Sequence, residues 1–182
     1  MNKPKLIVLS GPLGSGKSTL AKKYADEHPL ALVLDVDLIR LMLGQWREND
    51  EVSAQLSKDM AEAMARINLQ AGYDIIIPQI YRQRERLENL KQIAQELNAD
   101  YYEILLDLDK AEAIDRFLSY KEIRKGGLIE RGGGVTKLES MYDEMTQLAS
   151  SRPETVRITP IRDDIDDTYK LLLDSLSIST IR

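Results

Sequence analysis

The stretch from Leu6 to Glu27, LIVLSGPLGSGKSTLAKKYADE, constrains the fold more than any other part of the chain. A short apolar run ends in a glycine loop, and a helix-compatible segment follows at once. Between them GPLGSGKS, Gly11 to Ser18, fits the pattern G-x-x-x-x-G-K-[ST], with the strand before and the helix after that the pattern needs. A loop of Gly11, Pro12, Leu13, Gly14, Ser15 and Gly16 turns backbone N–H groups inward on an anion. The helix start at Lys17, Ser18 and Thr19 adds partial positive charge. In this arrangement Lys17 reaches the terminal phosphates of a nucleotide, and the Ser18 hydroxyl completes the shell of a Mg²⁺ ion.

Beyond the loop, apolar runs alternate with helical patterns. KLIVLS, ALVLDVD, YDIIIPQ, YYEILLDL and ETVRITP read as five strands separated by helices. The strands are nearly all apolar, as expected of a parallel sheet covered on both faces. The expected class is α/β, a three-layer sandwich in one domain spanning residues 1–182. Composition narrows the chemistry further. The 182 residues carry a net charge of −5, no cysteine and one histidine. Disulfides, thiolate sites and multi-histidine zinc sites are excluded, and sequence-independent binding along nucleic acid is disfavoured. With no membrane-length apolar run and no secretory leader, the chain reads as cytoplasmic.

Several side chains stand out as candidates for chemistry. The second strand ends LDVDLIR, and alternation along an extended chain puts Asp35 and Asp37 on one side, at the carboxyl end where open α/β sheets bind ligands. Phosphoryl transfer to a hydroxyl needs a carboxylate to take the proton, and a second acid nearby can serve Mg²⁺. The competing reading is that Asp37 caps the following helix. Eight of the ten glycines fall in two loops, the opening one and RKGGLIERGGGV. The second loop is flanked by Arg116, Lys121, Arg124, Lys125 and Arg131, charges suited to a lid over phosphates at about residues 116–134. Met60 and Met64 read as core at helical spacing. Trp46 reads either as a stacking platform or as half-buried packing. Arg82 and Arg86 share a helix face that either meets an anionic acceptor or is simply solvated.

On GPLGSGKSTLA, the D-x-D and D-x-x-R spacings and the lid, the chain resembles the small P-loop kinases. These include the adenylate, shikimate and gluconate kinases, the zeta-toxin kinases and polynucleotide kinase, all with an AAA-type ATP-binding domain. The resemblance implies a sheet of order 2-3-1-4-5, ATP with Mg²⁺ and a closing lid. It also implies Asp37 as base, Asp35 in the outer metal shell, and Arg40 gripping acceptor or transition-state charge. Arg116 would stack on adenine, and Arg124 would stabilise the transition state, with Lys121 and Arg131 as alternatives. Arg152 would approach adenine or ribose. P-loop hydrolases usually place an acid after a strand where this chain has Pro78 and Gln79, and Asp74 stands at the wrong end. The implied activity is transfer of the γ-phosphate to a hydroxyl of a small metabolite such as a nucleoside or sugar. A nucleic-acid 5′-hydroxyl is the second acceptor class, and a nucleotide-dependent switch is the rival without transfer.

Overall fold

The computed structural model describes residues 3–123 and 134–177, the side chains of 120–123 and of 134 excepted. Among the lid candidates, the Lys121 side chain, Arg124, Lys125 and Arg131 lie outside the described residues, as do Gly126, Gly127, Gly132 and Gly133. Five parallel strands form one sheet: β1 (Lys5–Ser10), β2 (Leu32–Val33), β3 (Ile75–Pro78), β4 (Asp100–Leu106) and β5 (Val156–Ile158), in the order β2-β3-β1-β4-β5. The connecting helices are α1 (Lys17–Glu27), α2 (Val36–Leu41), α3 (Asp50–Gln70), α4 (Arg84–Glu96), α5 (Lys110–Ile123), α6 (Gly134–Ser150) and α7 (Ile165–Ser177).

Strand alternation divides the core into two layers. Leu6, Val8, Ile75 and Ile77 face one side and pack against Ala61, Ala65 and Leu69 of α3 and Leu87, Leu90 and Ile93 of α4. Ile7, Leu9 and Ile76 face the other side and meet Leu20 and Tyr24 of α1 and Tyr169 and Leu172 of α7. Both faces of β1 are fully buried, which is why its sequence shows no polar alternation. Asp74 closes the amino end of the sheet, accepting from the Lys5 N–H at 2.8 Å and the Tyr24 hydroxyl at 2.6 Å. The opposite end is left for the site.

Two expectations fail for local reasons. The second strand does not run through Asp37. β2 stops at Val33, and the Asp35 carboxylate accepts from the N–H groups of Asp37 (3.0 Å) and Leu38 (3.3 Å), capping α2. β2 is an edge strand paired only to β3, so this side-chain cap wins over a longer ladder. Asp35 and Asp37 therefore sit on the cap and first turn of a helix, not side by side on a strand. Met60 and Met64 are not core either: they are 41% and 38% exposed, and the buried row of α3 is Ser53, Ser57, Ala61, Ala65 and Leu69. Small residues let α3 lie close on the sheet and turn its larger side chains outward.

Candidate active site

The glycine loop adopts the conformation that its residues allow. Gly14 and Gly16 have φ of 78° and 91°, values that L side chains rarely take. A Cβ at Gly11 would lie 2.8 Å from Ser15 Oγ and 2.9 Å from Leu106 Cβ, so the loop is seated against the end of β4. No side chain caps the start of α1, and the first-turn N–H groups have no acceptor within their own helix. Ser18 and Thr19 are exposed at this mouth.

Lys17 is buried in the centre of the loop. Its Nζ donates to the carbonyls of Gly11 (2.8 Å) and Pro12 (2.7 Å) and lies 3.4 Å from Ser15 Oγ. Burial lowers its pKa from 10.5 to about 7, against the opposing pull of the Asp35 carboxylate. An ammonium held by carbonyl dipoles and lacking a contacting carboxylate is the chemistry of a site that takes an anion. The loop thus fits the phosphates of a nucleotide. Asp35 is half-buried, and burial pushes its pKa up, with the neighbouring charge of Asp37 adding to the rise. Asp37 is exposed on the first turn of α2, and its carboxylate makes no hydrogen bond with the described residues. No cluster of three or more His, Asp or Glu side chains able to hold a metal exists among the described residues. Mg²⁺ would therefore depend on phosphate oxygens, with Ser18 Oγ and Asp35 completing its shell.

Other candidates are placed differently from expectation. The Arg40 guanidinium is buried: Nε donates to Ser53 Oγ at 2.9 Å and Nη2 to Asp50 Oδ1 at 2.6 Å, with the Trp46 ring 5.2 Å away. It joins α2 to the start of α3. Trp46 is half-buried between Arg40 and Arg47, which is the packing reading. Arg116 starts beside the loop, where a Cβ at Gly14 would lie 3.1 Å from its own Cβ. Its guanidinium turns back to Glu112 (2.7 and 3.1 Å), one helical turn away.

Arg152 corrects the expectation most firmly. It is fully buried, with Nε donating to both oxygens of Glu103 at 2.9 Å, Nη1 bonded to Glu88, and Nη2 paired with Glu103 (2.8 Å) and Glu154 (3.0 Å). Enclosed by three carboxylates, it ties α4 and β4 to the segment after α6. From sequence, Glu103 inside an apolar strand was the available sign of a buried cation.

Two features went unread in the sequence. Lys58 of α3 is half-buried, with Arg86, Arg40 and Arg82 within electrostatic reach; burial first, and then these arginines, holds its pKa down, while Asp59 opposes. Arg82 pairs with Glu144 at 3.1 Å, but Lys58 and Arg86 have no ion pair or hydrogen bond among the described residues. The second feature is a shallow apolar cleft beside the loop, lined by Pro12, Leu13, Ile80, Phe117, Met141 and Met145 among others.

Fold and loop geometry define a small P-loop kinase-like domain. The chain belongs to the AAA domain family, whose model matches residues 6–118. Three solved structures share the fold. A chain of the Pnkp1/Rnl/Hen1 RNA repair complex superposes with a TM-score of 0.69 at 19% identity, covering 91% of this chain and 51% of its own. This chain thus spans about half the length of that relative. The APS kinase CysC of Mycobacterium tuberculosis, in complex with AMPPNP and APS, gives 0.65 at 20% identity over 97% and 99% of the two chains. A gluconokinase from Sinorhizobium meliloti 1021 gives 0.60 at 14% identity over 97% and 94%. No curated protein matches the chain significantly. Among the described residues, no helix is long and apolar enough to cross a membrane.

Proposed function

We propose that the protein is an ATP-dependent kinase that transfers the γ-phosphate of ATP to a hydroxyl group. The observation that carries this reading is the pairing of a buried, incompletely neutralised Lys17 with an uncommitted carboxylate, Asp37, at the same end of the sheet. Asp37 takes the acceptor's proton as its oxygen bonds to the γ-phosphorus. The bond to the β,γ-bridging oxygen breaks, and ADP leaves with that electron pair. Lys17 and the loop N–H groups stabilise the charge on the moving group, the term that dominates such transfers. When bound, Mg²⁺ supplies further neutralisation of the phosphates. Arg40 acts as a positioning residue that fixes α2, and so Asp37, against α3. Arg116, whose Cβ lies beside Gly14, would meet the nucleotide if its guanidinium left Glu112.

Lys58 and Arg86 favour an acceptor that carries its own negative charge, such as a phosphorylated or carboxylated small metabolite. The same cluster supports a second reading, a polynucleotide with a 5′-hydroxyl end. Transfer of label from γ-³²P-ATP to a panel of nucleosides, sugars, anionic metabolites and a 5′-hydroxyl oligonucleotide separates the two. Asp37→Asn should lower transfer by ~100-fold, the scale of a lost general base, with ATP affinity unchanged. Hydrolysis of ATP without any acceptor, at a rate indifferent to Asp37→Asn, would replace the kinase reading with a nucleotide switch.

A further inference from the structure

The long helix α3 carries its large apolar side chains on the side facing away from the core. Val52, Leu56, Met60, Met64 and Ile67 recur every three or four residues and are all substantially exposed, with Ala63 among them. Scattered exposed apolar residues are ordinary, but a continuous row along a helix is not. The row extends roughly 22 Å at 1.5 Å per residue. α2, which packs on the first turns of α3, adds Leu38, Leu41 and Met42. These eight large apolar side chains are 38–74% exposed, which brings the face to the scale of the roughly 800 Å² that each partner gives to a standard interface.

The spacing of the row points to its occupant. Leu56 stands four residues before Met60 and Met64 four after; Val52 stands eight before and Ile67 seven after. The pattern is therefore nearly the same read from either end. A helix with such a row is complementary to itself when a second copy lies antiparallel across a two-fold axis. Met60 then meets Met60, Leu56 meets Ala63 and Met64, and Val52 meets Ile67. Ala63 leaves room for Leu56, and the flexible methionines fill the centre. Antiparallel packing also opposes the two helix dipoles. A partner of unrelated sequence would require none of this symmetry.

We propose that the outer face of α3 is a homodimer interface, with Met60 on the two-fold axis. Sedimentation or light scattering at about 50 µM should give twice the chain's mass of 20.7 kDa. Met60→Lys, at an exposed position that folding does not depend on, should weaken association by 100-fold or more. The protein has no cysteine, so Met60→Cys offers an independent readout. It should form a disulfide-linked dimer under mild oxidation far faster than Lys22→Cys, an exposed site on the opposite face of the sheet. A monomer at 50 µM would overturn the proposal. So would a dimer untouched by Met60→Lys, or equal cross-linking of the two cysteine variants.

Discussion

Two of the cations buried among the described residues, Lys17 and Arg152, are treated in opposite ways. Lys17 lies among carbonyl oxygens with no carboxylate in contact, and burial pulls its pKa down to about 7. Arg152 is surrounded by Glu103, Glu88 and Glu154. Its burial is outweighed by hydrogen bonds to Glu103 and Glu88, which hold the guanidinium above its ordinary pKa. Both are positive charges removed from water, which costs several kcal/mol unless a counter-charge is supplied. The protein itself supplies the counter-charge for Arg152. For Lys17 it supplies dipoles and only the non-contacting carboxylate of Asp35, leaving the remaining compensation to a ligand. A buried charge left unfinished marks the working end of the sheet, and a finished one marks scaffold.

The sharpest way to break this contrast is to remove each cation. Lys17→Met should abolish most transfer, by roughly 10³-fold, the scale of a lost donor to transition-state charge. It should leave the melting temperature unchanged or slightly raised, because an uncompensated buried charge disappears. A large loss of stability in that variant would mean that Lys17 is structural after all. Arg152→Met should do the reverse. Stranding three carboxylates, one of them buried, should cost about 3–5 kcal/mol and lower the melting temperature by on the order of 10 °C. Adding Glu103→Gln should recover part of that loss. ATP affinity of the folded Arg152→Met protein, measured below its transition, should match that of the parent. A selective loss of nucleotide binding would return Arg152 to the site.

The contrast also explains what could be read from the sequence. The strands and the loop are legible because each rests on local signals: unbroken apolar runs such as LIVL and III, and a glycine pattern whose flanks must be strand and helix. The strand order follows only from the resemblance to P-loop kinases. The burial of Arg152 is not legible because its partners come from residues 88, 103 and 154, a convergence that spacing along the chain does not reveal. Asp35 and Asp37 were placed at the correct end of the sheet but on the wrong element. A carboxylate capping two N–H groups is as local a signal as strand alternation, and at the end of this short edge strand the cap prevails. Met60 and Met64 follow the helical period faithfully, yet periodicity alone does not say which of two apolar rows faces the sheet. Here the row of serines and alanines does.

The last prediction sharpens the comparison through pH. In the unfolded chain Lys17 keeps its proton up to about pH 10.5, whereas in the folded, ligand-free protein it loses it near pH 7. Folding stability from this group therefore rises with pH across that window, the reverse of a lysine that gains a partner on folding. An anion beside Nζ restores the proton. Above about pH 7.5, clear of a phosphate's second ionisation near 6, ATP binding should take up close to one proton. Its affinity should fall by up to ~10-fold per pH unit between pH 8 and 9. Calorimetry in buffers of different ionisation enthalpy measures the proton directly, and Lys17→Met should abolish it. Arg152 contributes nothing here, because its carboxylates keep it charged throughout. Affinity independent of pH, with no proton taken up, would mean that the phosphates leave the carbonyl cage around Lys17 intact, and the unfinished charge would not be the one that ATP completes.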